Sequence, residues 1–135
     1  MSYFRNFLIL ALFFIPFHSF SDEKIEQSKY FVENLGKQVV ETVSNINLSE
    51  NERIVNFRNL YLDAFDNYYI SRFVLGRYWK KLDSNMRKQF IESFNNYIVT
   101  TYAPKFKGWE GTFKATDSLL ENNYYNVKMN VLNKD

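Results

Sequence analysis

The sequence predicts an α+β fold in which a helical layer comes first and strands follow it. Three observations carry this prediction. Apolar residues recur at steps of three and four from Ile25 to Thr101, the period of helices that bury one face. After Gly108 the period changes, and from Tyr125 to Leu132 apolar and polar residues alternate as in a half-buried strand. Just before that run stands Glu121-Asn122-Asn123, polar turn material that makes the end of the chain a hairpin.

The chain has 135 residues, at most one domain, and its start reads as a leader. Met1–Ser21 carries a single charge, Arg5, then an apolar run of eleven residues from Phe7 to Phe17, then Ser19 and Ser21 around Phe20. A basic start, a short apolar centre and small residues two apart predict a secretory signal peptide, residues 1–21, cleaved between Ser21 and Asp22. The apolar run is well short of the roughly 20 residues that span a bilayer. The domain is then 22–135.

The first helix is predicted from Asp22 to about Asn45, with Ile25, Phe31, Val32, Leu35, Val39, Val43 and Ile46 on its apolar face. Gly36 weakens this helix, which points to a close approach by another element. Ser49 and Glu52 form a capping box that opens the second helix. Its apolar face holds Ile54, Phe57, Leu60, Tyr61 and Phe65, with Arg53 and Arg58 outside it. Asp66-Asn67 closes that helix and caps a short third one, from about Tyr68 to Leu75. Gly76 supplies the left-handed residue of a helix C-terminus. Arg77 to Lys81 is then a corner, and Asp83 or Ser84 caps the fourth helix. That helix carries Met86, Phe90, Phe94, Tyr97, Ile98 and Thr101 until Pro104 stops it. A first strand is predicted over Trp109–Thr116 and a second over Tyr125–Leu132, with Tyr125, Val127, Met129 and Val131 on one side. Two strands alone are marginal in water, so the sheet reads as unfinished and the chain as truncated.

Composition narrows the chemistry. The only histidine, His18, lies in the leader, and the sequence has no cysteine. Histidine triads, thiol nucleophiles and imidazole or thiolate metal sites are excluded from residues 22–135, leaving carboxylate, hydroxyl, Lys and Arg chemistry or none. No nucleophile and base pair is recognisable, so no catalytic residue, metal or cofactor is expected. After the leader, 16 basic less 15 acidic residues leave +1. The distribution is polarised: five basic and nine acidic residues between Asp22 and Asp66 give −4, and eight basic and two acidic between Arg72 and Lys107 give +6. Such polarity suits an acidic partner or an anionic lipid surface, or simply solvated helix faces. The basic residues form no nucleic-acid recognition motif, and export argues against that partner.

The corner Val74-Leu75-Gly76-Arg77-Tyr78-Trp79 is followed by Arg87, Gln89, Phe90 and Phe94, then Tyr102 and Gly108, and is approached through Tyr61 to Phe65 and Ser71-Arg72-Phe73. In this order the residues resemble the MlaC, or toluene-tolerance, family of periplasmic phospholipid-binding proteins, over roughly Ile25 to Leu132. The resemblance implies a helical layer on a curved antiparallel sheet, NTF2-like, with acyl chains between the two. Family members continue for several more strands and a terminal helix, so it also implies that only the first strands of the sheet are present. The implied function is a periplasmic carrier, not an enzyme, moving phospholipid between an outer-membrane lipoprotein complex and an inner-membrane ABC transporter with an MCE-domain subunit.

Eight Phe, nine Tyr and two Trp in the 114 residues after the leader suit a protein that shields apolar chains. The cavity candidates are Phe73, Val74, Tyr78, Trp79, Phe90, Phe94, Ile98, Tyr102, Phe113, Val127, Met129 and Val131, with ordinary core packing as the competing role for the helical ones. Arg77, Lys80 and Lys81 are candidates for headgroup or partner contact. Two other readings stay open: an enzyme of NTF2-like shape using Asp63 or Asp66 with a tyrosine, and a non-catalytic adaptor or remnant of a lipid carrier.

Overall fold

A computed structural model describes residues 19–133. Helix α1 (Ser19–Val43) leads to α2 (Glu50–Ala64) and α3 (Asn67–Leu75), and a 3-10 corner (Gly76–Lys81) leads to α4 (Ser84–Tyr102). A second 3-10 turn (Ala103–Phe106) then precedes strands β1 (Thr112–Glu121) and β2 (Tyr124–Leu132). The predicted α+β class is what the chain adopts, with one two-stranded antiparallel sheet among the described residues. The expected leader up to His18 lies outside the described residues, and helical backbone runs through the expected cleavage point at Ser21. Among the described residues, no helix is long and apolar enough to cross a membrane.

Local chemistry sets the helix ends. The Ser49 N–H donates to Glu52 Oε2 at 2.9 Å and the Glu52 N–H to Ser49 Oγ at 3.3 Å, completing the capping box of α2. The Ser49 hydroxyl, and after it the Ser49 N–H, hold the Glu52 carboxyl below its ordinary pKa. Asp66 caps α3 by accepting from the Tyr69 N–H, and Asp83 caps α4 by accepting from the Met86 N–H, each at 2.8 Å. Gly76 ends α3 at φ 52°, with its N–H bonded to the carbonyls of Arg72 and Phe73.

The C-terminus of α1 is closed by a device the apolar pattern did not show. Arg53, expected outside the apolar face of α2, is only 1% exposed. Its guanidinium donates to the carbonyl of Val43, to that of Asn45 at 3.0 Å and to that of Leu48 at 3.3 Å. The Gly108 N–H takes the neighbouring Ser44 carbonyl at 2.8 Å, from a backbone at φ 71°. The Val43 and Ser44 carbonyls lie at the end of α1, where helical partners run out, the Asn45 carbonyl also accepts from the Leu48 N–H at 3.3 Å, and the helix dipole makes this end attractive to a cation. Arg53 therefore tucks inward because its partners are backbone carbonyls. With the helix ended at Val43, Ile46 leaves the expected stripe and is exposed.

The hairpin turns through Asn122 and Asn123 alone, at φ 49° and 68°. Both residues at positive φ make a two-residue turn that matches the strand twist, and asparagine tolerates that conformation. Glu121 therefore belongs to β1, paired with Tyr124, and β1 runs later than the predicted Trp109–Thr116. It starts at Thr112 because the chain before it still follows the 3-10 turn, the Trp109 N–H donating to the Phe106 carbonyl at 3.0 Å. Ala115 pairs with Met129 and Asp117 with Lys128, so Thr116 is the extra residue of a bulge.

Helix α1 lies against β1 and α2, while α4 packs on α2 and α3. Two polar contacts fix α1 to the strand: Ser28 Oγ to Ser118 Oγ at 2.7 Å, and the Ala115 N–H to Glu33 Oε1 at 2.8 Å. The second gives a strand amide a carboxylate acceptor beside the bulge. On α4 the buried line runs through Asn95 and Val99, turned from the predicted stripe. Phe90, Phe94 and Ile98 are half-buried, and Met86 and Tyr97 are exposed.

Candidate functional site

The apolar faces of α1 and α2 meet the hairpin without closing on each other. Between them is a slot of about 400 Å³. Phe31, Val32, Leu35, Gly36 and Val39 come from α1, and Phe57, Leu60, Tyr61, Ala64 and Phe65 from α2 and its end. Phe106 of the second 3-10 turn, Phe113 of β1 and Met129 of β2 complete the thirteen lining residues described.

A chain of aromatic rings holds one wall. Phe57 stacks on Phe106 with centroids 5.6 Å apart, Phe106 meets Trp109 edge-on at 5.9 Å, and Trp109 tilts against Phe113 at 4.9 Å. Two glycines make room for it. A Cβ at Gly36 would come within 3.0 Å of Phe113 ring carbons, and one at Gly111 would come equally close to the Trp109 indole. The close approach expected at Gly36 is thus made by Phe113, from the strand.

Tyr61 is the one lining residue with a side-chain hydroxyl, and that hydroxyl donates to Asn95 Oδ1 of α4 at 3.3 Å. Burial pushes its phenol pKa up. The lining described includes no Asp, Glu, Lys or Arg, so the slot holds no general base and no fixed charge. It favours an uncharged, apolar guest. Among the described residues, no group of three or more His, Asp or Glu stands ready to hold a metal ion. Asp66 is used in the cap of α3, and Asp63 borders another hollow, with Thr42, Asn56, Asn59, Leu60 and Leu62.

Of the sequence candidates, Phe113 and Met129 meet in the slot. Phe73 and Val74 are exposed on α3. Tyr78 is exposed in the corner, with Arg77 at 5.0 Å and Lys81 at 5.3 Å over its ring. Lys80, also in the corner, is exposed. Trp79 is the corner's own core, 5% exposed, with Tyr68 edge-on at 5.2 Å and Arg87 over its face at 5.3 Å. Phe90 and Phe94 stack on each other along α4 at 5.8 Å, and Ile98 follows them half-buried. Tyr102 is exposed beneath Lys105. Val127 is half-buried and Val131 exposed on β2, neither in the slot lining. The sequence candidates passed over most of the helical lining, notably Leu35, Phe57, Leu60 and Phe106. The signal for these residues was present as facing stripes on the first two helices, with Gly36 marking the point of contact.

Fold and slot together define a class: a small α+β protein with an apolar, charge-free cleft between its helices and its hairpin. The family model described as MlaC protein matches residues 19–135, and the chain belongs to the MlaC family. At the level of the family this is a periplasmic protein related to phospholipid transport, from a lipid-binding transport family rather than an enzyme family. Comparison with curated proteins and with solved structures found no match to this chain.

Proposed function

We propose that this chain is a carrier that shields phospholipid acyl chains in the slot between α1, α2 and the hairpin. It shuttles lipid between the outer membrane, with its lipoprotein complex, and an inner-membrane ABC transporter with an MCE-domain subunit. It reaches the periplasm by cleavage of the leader at Met1–Ser21 and uses no cofactor. The observation that carries this reading is the charge-free lining of the slot.

Each methylene exposed to water costs about 0.8 kcal/mol, so a chain of roughly sixteen carbons costs about 12 kcal/mol to move unshielded. Apolar walls with no ionised group can offset that cost, because no charge needs desolvation when the chain enters. Leu35, Phe57, Leu60, Phe113 and Met129 are the proposed wall. Met129 adds an unbranched, polarizable side chain that adapts to different guests. Among the earlier candidates, Trp79, Phe90 and Phe94 serve the packing of the α3–α4 region rather than the guest.

Organic extraction of protein exported to the periplasm and purified without detergent tests the reading. Phospholipid in near-equimolar amount is the expected result. Protein that is folded and free of phospholipid would overturn it.

A further inference from the structure

A second surface, away from the slot, carries large apolar side chains in water. Phe73 is 77% exposed and Tyr69 59% exposed, one turn apart on α3. With Arg72, Gly76, Trp79 and Lys80 they line one hollow of about 500 Å³. Arg77 and Lys81 stand beside it in the 3-10 corner. Between Asn67 and Leu82 the sequence holds these four basic residues and no acidic one. The nearest carboxylates, Asp66 and Asp83, are occupied as helix caps. No salt bridge engages Arg72, Arg77, Lys80 or Lys81 among the described residues.

Apolar side chains held in water beside a cluster of unpaired cations have the chemistry of an anionic membrane interface. Aromatic rings enter the headgroup layer, and basic side chains meet lipid phosphates. The hollow is open around Gly76, where a Cβ would meet nothing within 4 Å. We infer that the α3–corner surface docks the protein on an anionic phospholipid bilayer, with Phe73 and Tyr69 inserted and Arg72 and Lys80 on the headgroups. An acidic protein would satisfy the same charges and is the occupant that a failure to bind vesicles would favour. This docking is independent of what the slot holds.

Flotation with extruded vesicles tests the inference, using phosphatidylcholine alone and phosphatidylcholine mixed with phosphatidylglycerol. The full chain should float with the mixed vesicles only, and should be released in roughly half-molar salt, where screening acts within a few ångströms. Phe73→Ser should weaken binding on the order of tenfold. Replacing Arg72 or Lys80 by Gln should weaken it roughly fivefold each. All three positions are exposed, so circular dichroism should show the folded protein in every one of these variants. Phe113→Leu, in the slot, should bind vesicles like the wild type. Equal binding to both vesicles, no binding to either, or mixed-vesicle binding indifferent to Phe73→Ser and Arg72→Gln would each overturn the inference. So would an acidic protein partner that competes for Arg72 and Lys80 while vesicles do not bind.

Discussion

The chain's two tryptophans sit in two regions built on different principles. Trp79 is the core of the corner between α3 and α4, enclosed by Tyr68 and Arg87, whose Nε also donates to the Trp79 carbonyl at 3.2 Å. Trp109 belongs to the aromatic wall of the slot, where Phe113 meets it on one side and Phe106 on the other. The corner packs Trp79 among residues close in sequence, with a hollow only on its outer surface, whereas the slot is held open between elements far apart in sequence. Their glycines differ in the same way. Gly76 is needed for its backbone angle and faces open space, and Gly36 is needed for its missing side chain and faces Phe113. A corner built from near neighbours sets the direction of the chain, and an apolar slot between distant elements leaves space for a guest.

Trp79→Ala should cost about 3–5 kcal/mol, read as a lowered urea midpoint, because a large buried side chain is lost with little chance of collapse. Slot occupancy per folded molecule should not change. Arg53→Met comes next, at about 2–4 kcal/mol, since it removes the guanidinium from the carbonyls of Val43, Asn45 and Leu48 between the end of α1 and the start of α2. The same denaturation curve measures it.

The two glycines sharpen the contrast. Gly36→Ala gains helix propensity of about 1 kcal/mol but overpacks Phe113 at a cost of about 1–3 kcal/mol, for a net loss of up to about 2. Phe113→Ala, which removes the Cγ and Cδ2 carbons that a Gly36 Cβ would overlap, should make Gly36→Ala less costly in the same chain, a coupling that a double-mutant cycle detects. Gly76→Ala should lose about 1 kcal/mol from its positive φ, with no neighbour whose change rescues it.

The smallest effect is a pH dependence. The Tyr61 phenol has its pKa raised above the ordinary 10.0 by burial, so its neutral form is the one the fold favours. Its contribution is present below the unfolded pKa and is lost as pH rises through the folded one. Tyr61→Phe should therefore flatten the alkaline end of the stability curve, measured by thermal unfolding above about pH 10.

The corner was legible in the sequence because its signals are local. Asp66, Gly76, Asp83 and Pro104 each punctuate the chain within a turn of where they act, and the α2 capping box likewise works within four residues. The slot was only half legible. Phe113 and Met129 were chosen from strand patterning, but which face of α1 and α2 would remain open depends on the approach of β1, which residue spacing does not encode. Gly36 hinted at that approach without naming its partner. Arg53 was misplaced for a related reason. A charged residue reads as surface until the carbonyls of a distant helix end are known to surround it. The first strand was placed too early because, past the 3-10 turn that ends at Phe106, a further turn closed by the Trp109 N–H on the Phe106 carbonyl comes before the chain extends.

The two tryptophans also offer the most direct test of the slot. A brominated fatty acid, added as monomer, quenches indole fluorescence only on close contact. With Trp79→Phe, leaving Trp109 against Phe113, saturable quenching is expected. With Trp109→Phe, leaving Trp79 in the corner, emission should stay constant when both titrations are run in roughly half-molar salt, which screens the basic α3 surface from the fatty-acid carboxylate. Quenching of Trp79 alone, or equal quenching of both, would contradict an acyl-chain site between α1, α2 and the hairpin.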